Sequence, residues 1–243
     1  MCGIVGGVSN KNITPLLLEG LNLLEYRGYD SSGLIVLTKN NTFDRARSVG
    51  KVKNLEDSLK KRKHQIIGNI GIAHTRWATH GEPSNHNAHP HISKNSVSIV
   101  HNGIIENYLE LKNNQLANGY NFTSETDTEV IAHAIDFAMK TSSNIISSVQ
   151  KALTTLKGSY GLGIVSSKYP NQLIAAKKGS PLVIGIGKSG NYIASDQMAL
   201  LSVTKRFIFL EDGDVADINI DKITIYNRDG QVTNRPIKTS TLK

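Results

Sequence analysis

Strand-like runs occupy both ends of this chain and helical periodicities fill its middle, and that order limits the fold more than any other feature. Residues 3–7, 34–37, 69–74 and 97–100 are short apolar stretches bounded by Gly, Asn or Asp, as buried strands are. Lys39-Asn40-Asn41 predicts a turn into a further strand, and 158 to the end reads as short strands joined by Gly and Asn-Asp turns. Between them lie helical patterns. Thr14-Pro15 reads as an N-cap and first helical position ahead of a stripe at Leu17, Leu18, Leu21 and Leu24. A polar helix is expected over 51–63 and another over 106–117. One opened by a capping box from Thr126 to Glu129 carries Val130, Ile131, Ala134, Ile135 and Ala138 on one face, and a last helix stops at Gly158. Strands, then helices, then strands exclude the regular alternation of a doubly wound parallel sheet and predict an α+β fold of antiparallel sheets covered by helices. A single domain is expected over 1–238, with the polar residues 239–243 beginning a linker.

Composition narrows the setting. A chain of 243 residues that is 39% hydrophobic can bury a large core. One cysteine excludes a disulfide framework, and no signal-like segment opens the chain, so a reducing cytoplasm is the expected location. No apolar run approaches the roughly 18–20 residues that cross a bilayer, which argues against a membrane partner. The net charge of +8 is spread along the chain. Its one dense run, Lys60-Lys61-Arg62-Lys63, closes the polar helix, where cations suit the negative end of the macrodipole. With no aromatic residues interleaved, it does not predict nucleic-acid binding.

The lone cysteine stands at position 2, in Met1-Cys2-Gly3-Ile4-Val5-Gly6-Gly7. A solitary cysteine is commonly a small buried hydrophobe. At this position it has another use: once Met1 is removed, Cys2 carries both a thiol and a free α-amine with an ordinary pKa of about 7.7–8.0. Nucleophile and base then share one residue.

Other residues could serve such a thiol. Asn102-Gly103 reads equally as a type I′ hairpin turn and as an oxyanion hole made of a side-chain amide and a backbone N–H. Arg76 and Asp127 fit a clamp for the carboxylate and ammonium of an amino acid, although either also suits a structural role, a surface ion pair or a first-turn helix acid. Trp77 is the only tryptophan, with packing as its default role. His80, His86, His89 and His91 crowd one loop, but no second ligand pair with finger-like spacing accompanies them, and no metal or cofactor is expected. Gly185-Ile186-Gly187-Lys188-Ser189-Gly190 matches a dinucleotide fingerprint in letters only, because a strand and not a helix follows; a hairpin is expected there.

Several blocks together resemble a known family. The opening Met1-Cys2-Gly3-Ile4-Val5-Gly6 is similar to the start of the class II glutamine amidotransferases. The blocks 24–33, 74–83, 101–107, 124–130 and 194–197 resemble the glucosamine-6-phosphate synthase branch and set the chain apart from the amidophosphoribosyltransferase, asparagine synthetase and glutamate synthase branches. The resemblance implies an αββα sandwich of the N-terminal nucleophile hydrolase type. It also implies roles: Cys2 as the nucleophile on the glutamine side-chain amide, Asn102 and Gly103 as the oxyanion hole, and Arg76 and Asp127 as holders of the α-carboxylate and α-amine. Thr79 and His80 would complete that pocket. Arg27 and Gly28 would lie near the thiol, and Trp77 would gate an ammonia channel.

The branch continues into a sugar-isomerase half that binds fructose 6-phosphate and accepts the ammonia. The present chain ends at Lys243, so it is expected to be the glutaminase half, partnered in a full-length homodimer by that second half. Two other readings stay open from sequence: an N-terminal cysteine amidohydrolase acting on another amide, and a basic binding module without catalysis.

Overall fold

A computed structural model describes residues 2–77 and 80–242. Strand β1 (Gly3–Ser9) leads through helix α1 (Thr14–Leu24) and one 3-10 turn (Glu25–Arg27) to the hairpin β2 (Ser31–Leu37) and β3 (Phe43–Val49). Helix α2 (Val52–Lys60) precedes β4 (Ile70–Arg76), and β5 (His91–Ser93) and β6 (Val97–Ile105) follow. Three helices, α3 (Tyr108–Ala117), α4 (Glu129–Ala138) and α5 (Ile145–Leu153), fill the middle. The return strands are β7 (Gly158–Ser166), β8 (Tyr169–Lys178), β9 (Val183–Ile186), β10 (Gly190–Ala194), β11 (Arg206–Phe209), β12 (Val215–Ile218), β13 (Ile223–Tyr226), β14 (Val232–Thr233) and β15 (Ile237–Thr239).

Among the described residues these strands form two antiparallel sheets. One has eight strands in the order β15-β11-β9-β10-β1-β4-β2-β3, and the other seven in the order β14-β13-β12-β8-β7-β6-β5. The strand that begins the chain is therefore central, paired on one side with β4 and on the other with β10.

The apolar side chains sort into three layers, which makes the stack αββα. Ile4, Ile35, Ile72 and Ile193 of the first sheet meet Val100, Val165 and Leu173 of the second in the middle layer. Their sequence neighbours Val5, Leu34 and Ala73 point the other way, onto Leu17, Leu21 and Leu55 of α1 and α2. Likewise Ile99, Ile164 and Ile174 face Val130, Ile131, Ile135 and Val149 of α4 and α5. Because both faces of each sheet are covered, the strands read as continuous apolar runs and not as alternating ones.

Several local expectations need correction. Thr14 does not cap α1; Ile13 holds that position, and Thr14 lies in the first turn with its hydroxyl donating to the Ile66 carbonyl (2.9 Å). No capping box joins Thr126 to Glu129. Helix α4 begins at Glu129, whose buried carboxylate instead accepts from the backbone N–H and hydroxyl groups of Thr123 and Ser124. The last helix ends at Leu153, and Gly158 opens β7 with φ of 118°. The basic run outlasts α2, which stops at Lys60, and Arg62 is pinned to Asp44 (2.5 Å). The 185–190 segment is the β9–β10 hairpin, as its sequence predicts. No helix among the described residues is long and apolar enough to cross a membrane.

Candidate active site

The middle strand of a sheet offers two flanking neighbours for whatever stands at its end, and Cys2 stands just ahead of β1. The Trp77 N–H, immediately after β4, donates to Cys2 Sγ over 3.1 Å, and the Trp77 carbonyl lies 3.6 Å from the same sulfur. On the other flank, Ser195 follows β10: its N–H donates to the Ile4 carbonyl and its hydroxyl accepts from the Ile4 N–H, both at 3.0 Å. Burial pushes the Cys2 thiol above its ordinary pKa, outweighing the Trp77 N–H and the positive amino terminus, which pull it down. The thiol is thus held protonated and needs a base to become a nucleophile.

Arg27 lines the same cavity as Cys2, and Gly28 lies against the Trp77 indole. Arg27 Nη1 donates to the Ser195 carbonyl (3.2 Å) and hydroxyl (3.3 Å). Gly28 adopts φ of 96°, and a Cβ there would collide with the six-membered ring of Trp77. Only glycine lets the indole lie this close at that backbone angle. Trp77 remains 55% exposed and lines the cavity, so it is not a core residue.

Asn102 and Gly103 lie inside β6, so the hairpin reading of this pair fails: the strand runs on to Ile105, paired with β7 throughout. Asn102 Nδ2 donates to the Cys2 carbonyl (3.0 Å), while Oδ1 meets His74 Nε2 (2.9 Å). Gly103 has φ of 134°, and a Cβ on it would strike the Ser159 carbonyl.

Arg76 is 3% exposed. Its guanidinium lies 3.6 Å from Asp30 Oδ1 and donates to the carbonyls of His80, Gly81 (2.8 Å) and Glu82 (3.3 Å). It therefore ties the loop after β4 back to the strand end. Asp127, just before α4, accepts the Ile105 N–H with Oδ2 (2.8 Å) and presents Oδ1 4.0 Å from His80 Nδ1. The His80 ring rests edge-on against Tyr108, with centroids 5.0 Å apart. Thr79 lies outside the described residues.

These side chains converge. Cys2, Arg27, Arg76, Trp77, His80, Asn102, Gly103 and Asp127 all line one cavity of about 350 Å³, together with Ser159, Ser180 and Pro181. A larger hollow of about 690 Å³ beside α5, lined by Lys151, Lys178 and Arg228 among others, holds neither cysteine nor histidine and is no rival for nucleophilic chemistry.

His89 also lines the cavity, and around it the buried loop histidines are packed, not gathered. His89 packs between His74 (4.1 Å between centroids, tilted) and His91 (4.7 Å, edge-on). Thr128 Oγ1 bridges His89 Nε2 and His101 Nδ1, each at 2.9 Å, and His91 Nε2 meets Thr126 Oγ1 at 3.1 Å. Burial drives the His74 pKa down to about 3 and those of His89 and His91 well below the ordinary value, so these rings are neutral. His86 is exposed. No three His, Cys, Asp or Glu groups among the described residues come together as a metal site.

Sequence reasoning passed over His74, Asp30, Thr128 and Ser195 as site residues. Ser195 had a signal, standing just past a strand end, but nothing local says that the strand lies beside β1.

Two facing antiparallel sheets between helical layers, with a cysteine at the start of a central strand, define an α+β sandwich of the N-terminal nucleophile type. The chain belongs to the glutamine amidotransferase domain family, whose sequence profile matches residues 74–202. It is 52% identical over 244 aligned residues to the glutamine–fructose-6-phosphate aminotransferase (isomerizing) of Buchnera aphidicola subsp. Baizongia pistaciae, covering 100% of this chain and 40% of that protein. It is 54% identical to the protein of the same name from Acinetobacter baylyi, covering 98% of this chain and 38% of that one. The chain thus spans about two fifths of the length of these curated relatives. The solved glutamine phosphoribosylpyrophosphate amidotransferase from B. subtilis shares the fold, with a TM-score of 0.79 at 24% identity over 95% of this chain and 50% of that one.

Proposed function

We propose that this chain hydrolyses glutamine to glutamate and ammonia through a glutamyl thioester on Cys2. In a full-length synthase, a sugar-isomerase half of the same parent chain would take that ammonia to convert fructose 6-phosphate into glucosamine 6-phosphate. The observation that carries the reading is the shared cavity: a thiol, a side-chain amide, a guanidinium and a carboxylate all face one space of about 350 Å³.

The chemistry runs as follows. With Met1 removed, the neutral α-amine of Cys2 takes the thiol proton as Sγ attacks the amide carbon of glutamine. The developing oxyanion is met by the Asn102 amide and the Gly103 N–H. Collapse breaks the C–N bond, the ammonium of Cys2 returns its proton to the leaving nitrogen, and ammonia departs. Water, deprotonated by the same amine, then attacks the thioester and frees glutamate and the thiol. Arg76 pairs with the α-carboxylate of glutamine and Asp127 with its α-amine, a recognition that needs a planar fork on one side and an acceptor on the other. His80 and Thr79 complete that pocket, Arg27 and Gly28 shape the space around the thiol, and Trp77 gates the exit of ammonia.

No cofactor enters this scheme. A cytoplasmic setting suits a catalytic thiol that must stay reduced, and amino-sugar biosynthesis is the metabolic context. The domain is proposed to span 1–238 and a linker to begin at 239, although Thr239 still pairs with Arg206 of β11. The full-length protein is proposed to be a homodimer.

The deciding experiment incubates the mature chain with glutamine and measures glutamate and ammonia. Release that vanishes in Cys2→Ala supports the proposal, and normal turnover in that variant overturns it.

A further inference from the structure

His74 has no part in the scheme above, yet with the Cys2 carbonyl it fixes which way the Asn102 amide faces. The Cys2 carbonyl oxygen can only accept, so the atom of Asn102 that faces it at 3.0 Å must be the nitrogen. Oδ1 then faces His74 Nε2 at 2.9 Å. A carbonyl oxygen also only accepts, so the imidazole must carry its proton on Nε2.

The ring is fixed as well as oriented. It is fully buried in β4 and lies against His89 at 4.1 Å between centroids, with the Thr128 hydroxyl holding His89 from behind. Burial keeps it neutral, so the donor is present throughout the pH range in which an enzyme would work.

The Asn102 nitrogen carries two hydrogens. One is spent on the Cys2 carbonyl, and the second is the one an oxyanion can use. Without a donor on Oδ1 only the Cys2 carbonyl opposes turning the amide over, and a turned amide would present oxygen to the reacting centre and repel the charge it should stabilise.

We propose that His74 is the positioning residue of the oxyanion hole, its Nε2–H holding Asn102 Oδ1 so that an Asn102 N–H stays aimed at the charge that develops when Cys2 attacks. The inference rests on the thioester reading and adds to it a residue that touches neither substrate nor thiol. Its effect belongs to the transition state, because the ground-state amide of glutamine carries little charge on its oxygen.

The test compares His74→Leu, which removes the donor, with His74→Gln, whose terminal NH₂ can reach the same oxygen. Glutaminase kcat and KM are measured beside the rate of Cys2 alkylation by iodoacetamide, a displacement that forms no oxyanion. Losing one oxyanion donor costs about 10²–10³ in kcat. The expected result is therefore a kcat loss of at least about tenfold in His74→Leu, with KM and alkylation within about threefold of the parent and kcat in His74→Gln restored to within about fivefold. A His74→Leu variant with parental kcat overturns the proposal, and so does one in which kcat, KM and alkylation fail together. If His74→Leu does not fold, His74→Gln decides: a tenfold loss of kcat at unchanged thermal midpoint overturns it. Absence of glutaminase activity in the parent chain would instead count against the proposed function itself.

Discussion

The Trp77 N–H donates to Cys2 Sγ over 3.1 Å, so the thiol is held by the backbone of the same strand end that carries Arg76. That bond favours a thiolate, but burial outweighs it and the thiol pKa is raised. Iodoacetamide alkylation of the free protein should therefore rise with pH to a midpoint above the roughly 8.5 of an ordinary cysteine. A midpoint below 7 would mean a preformed thiolate and would contradict the need for a base. Glutaminase kcat/KM should rise earlier, with the neutral form of the α-amine, through about 7.7–8.0. A chain that retains Met1 should lack that limb.

Gly28→Ala places a methyl group against the Trp77 ring at a backbone φ of 96°. Left-handed strain of about 1–3 kcal/mol is expected, or displacement of the indole. Denaturant unfolding should report the first and Trp77 fluorescence the second. If neither changes, the close approach of Gly28 to Trp77 is not what the structure shows.

Asp127→Asn keeps an oxygen for the Ile105 N–H and removes the charge. Stability should change little, while KM for glutamine rises by about 10- to 100-fold, the equivalent of losing 1.5–3 kcal/mol from a charge-assisted contact. An unchanged KM would remove Asp127 from the proposed clamp. Arg76→Lys should raise KM and lower stability together, because the guanidinium also holds the carbonyls of His80, Gly81 and Glu82.

Acid should destabilise the fold before carboxylates begin to protonate. His74, His89 and His91 have native pKa values far below the ordinary 6.5, at about 3 for His74. Below pH 6.5 the unfolded chain binds protons that these native rings refuse, down to about pH 3 for His74, so stability is lost as pH falls through 6.5. Each such histidine contributes a slope of up to about 1.4 kcal/mol per pH unit. Unfolding at pH 5 should take up protons, at least the one that His74 refuses in the native state; uptake near zero would show that these rings are hydrated or charged in the folded state.

Antiparallel sheets covered by helices were legible in the order of strand-like runs and helical periodicities, whereas the four-layer αββα stack followed only from the resemblance of the motif blocks to a known family. The cavity was legible only in part. Cys2, Arg76, Asn102 and Asp127 are chemically conspicuous, and the structure brings them together, but their convergence depends on β1 lying between β4 and β10, which no local pattern encodes. Asn102-Gly103 misleads as a turn because the pairing of β6 with β7 overrides the dipeptide's preference. Thr126 and Glu129 mislead for a different reason: the Glu129 carboxylate finds four donors on Thr123 and Ser124, outside the helix it was expected to cap. His74 hides as one residue of a strand; only its neighbour across the sheets gives it a task.

The bonds between Ile4 and Ser195 join residues 191 apart in sequence. A ribosome adding about 5–20 residues per second needs roughly 10–40 s to travel that distance. For that interval the chain's first strand has no β10 to lie beside, and Cys2 is an ordinary residue at the end of a tether.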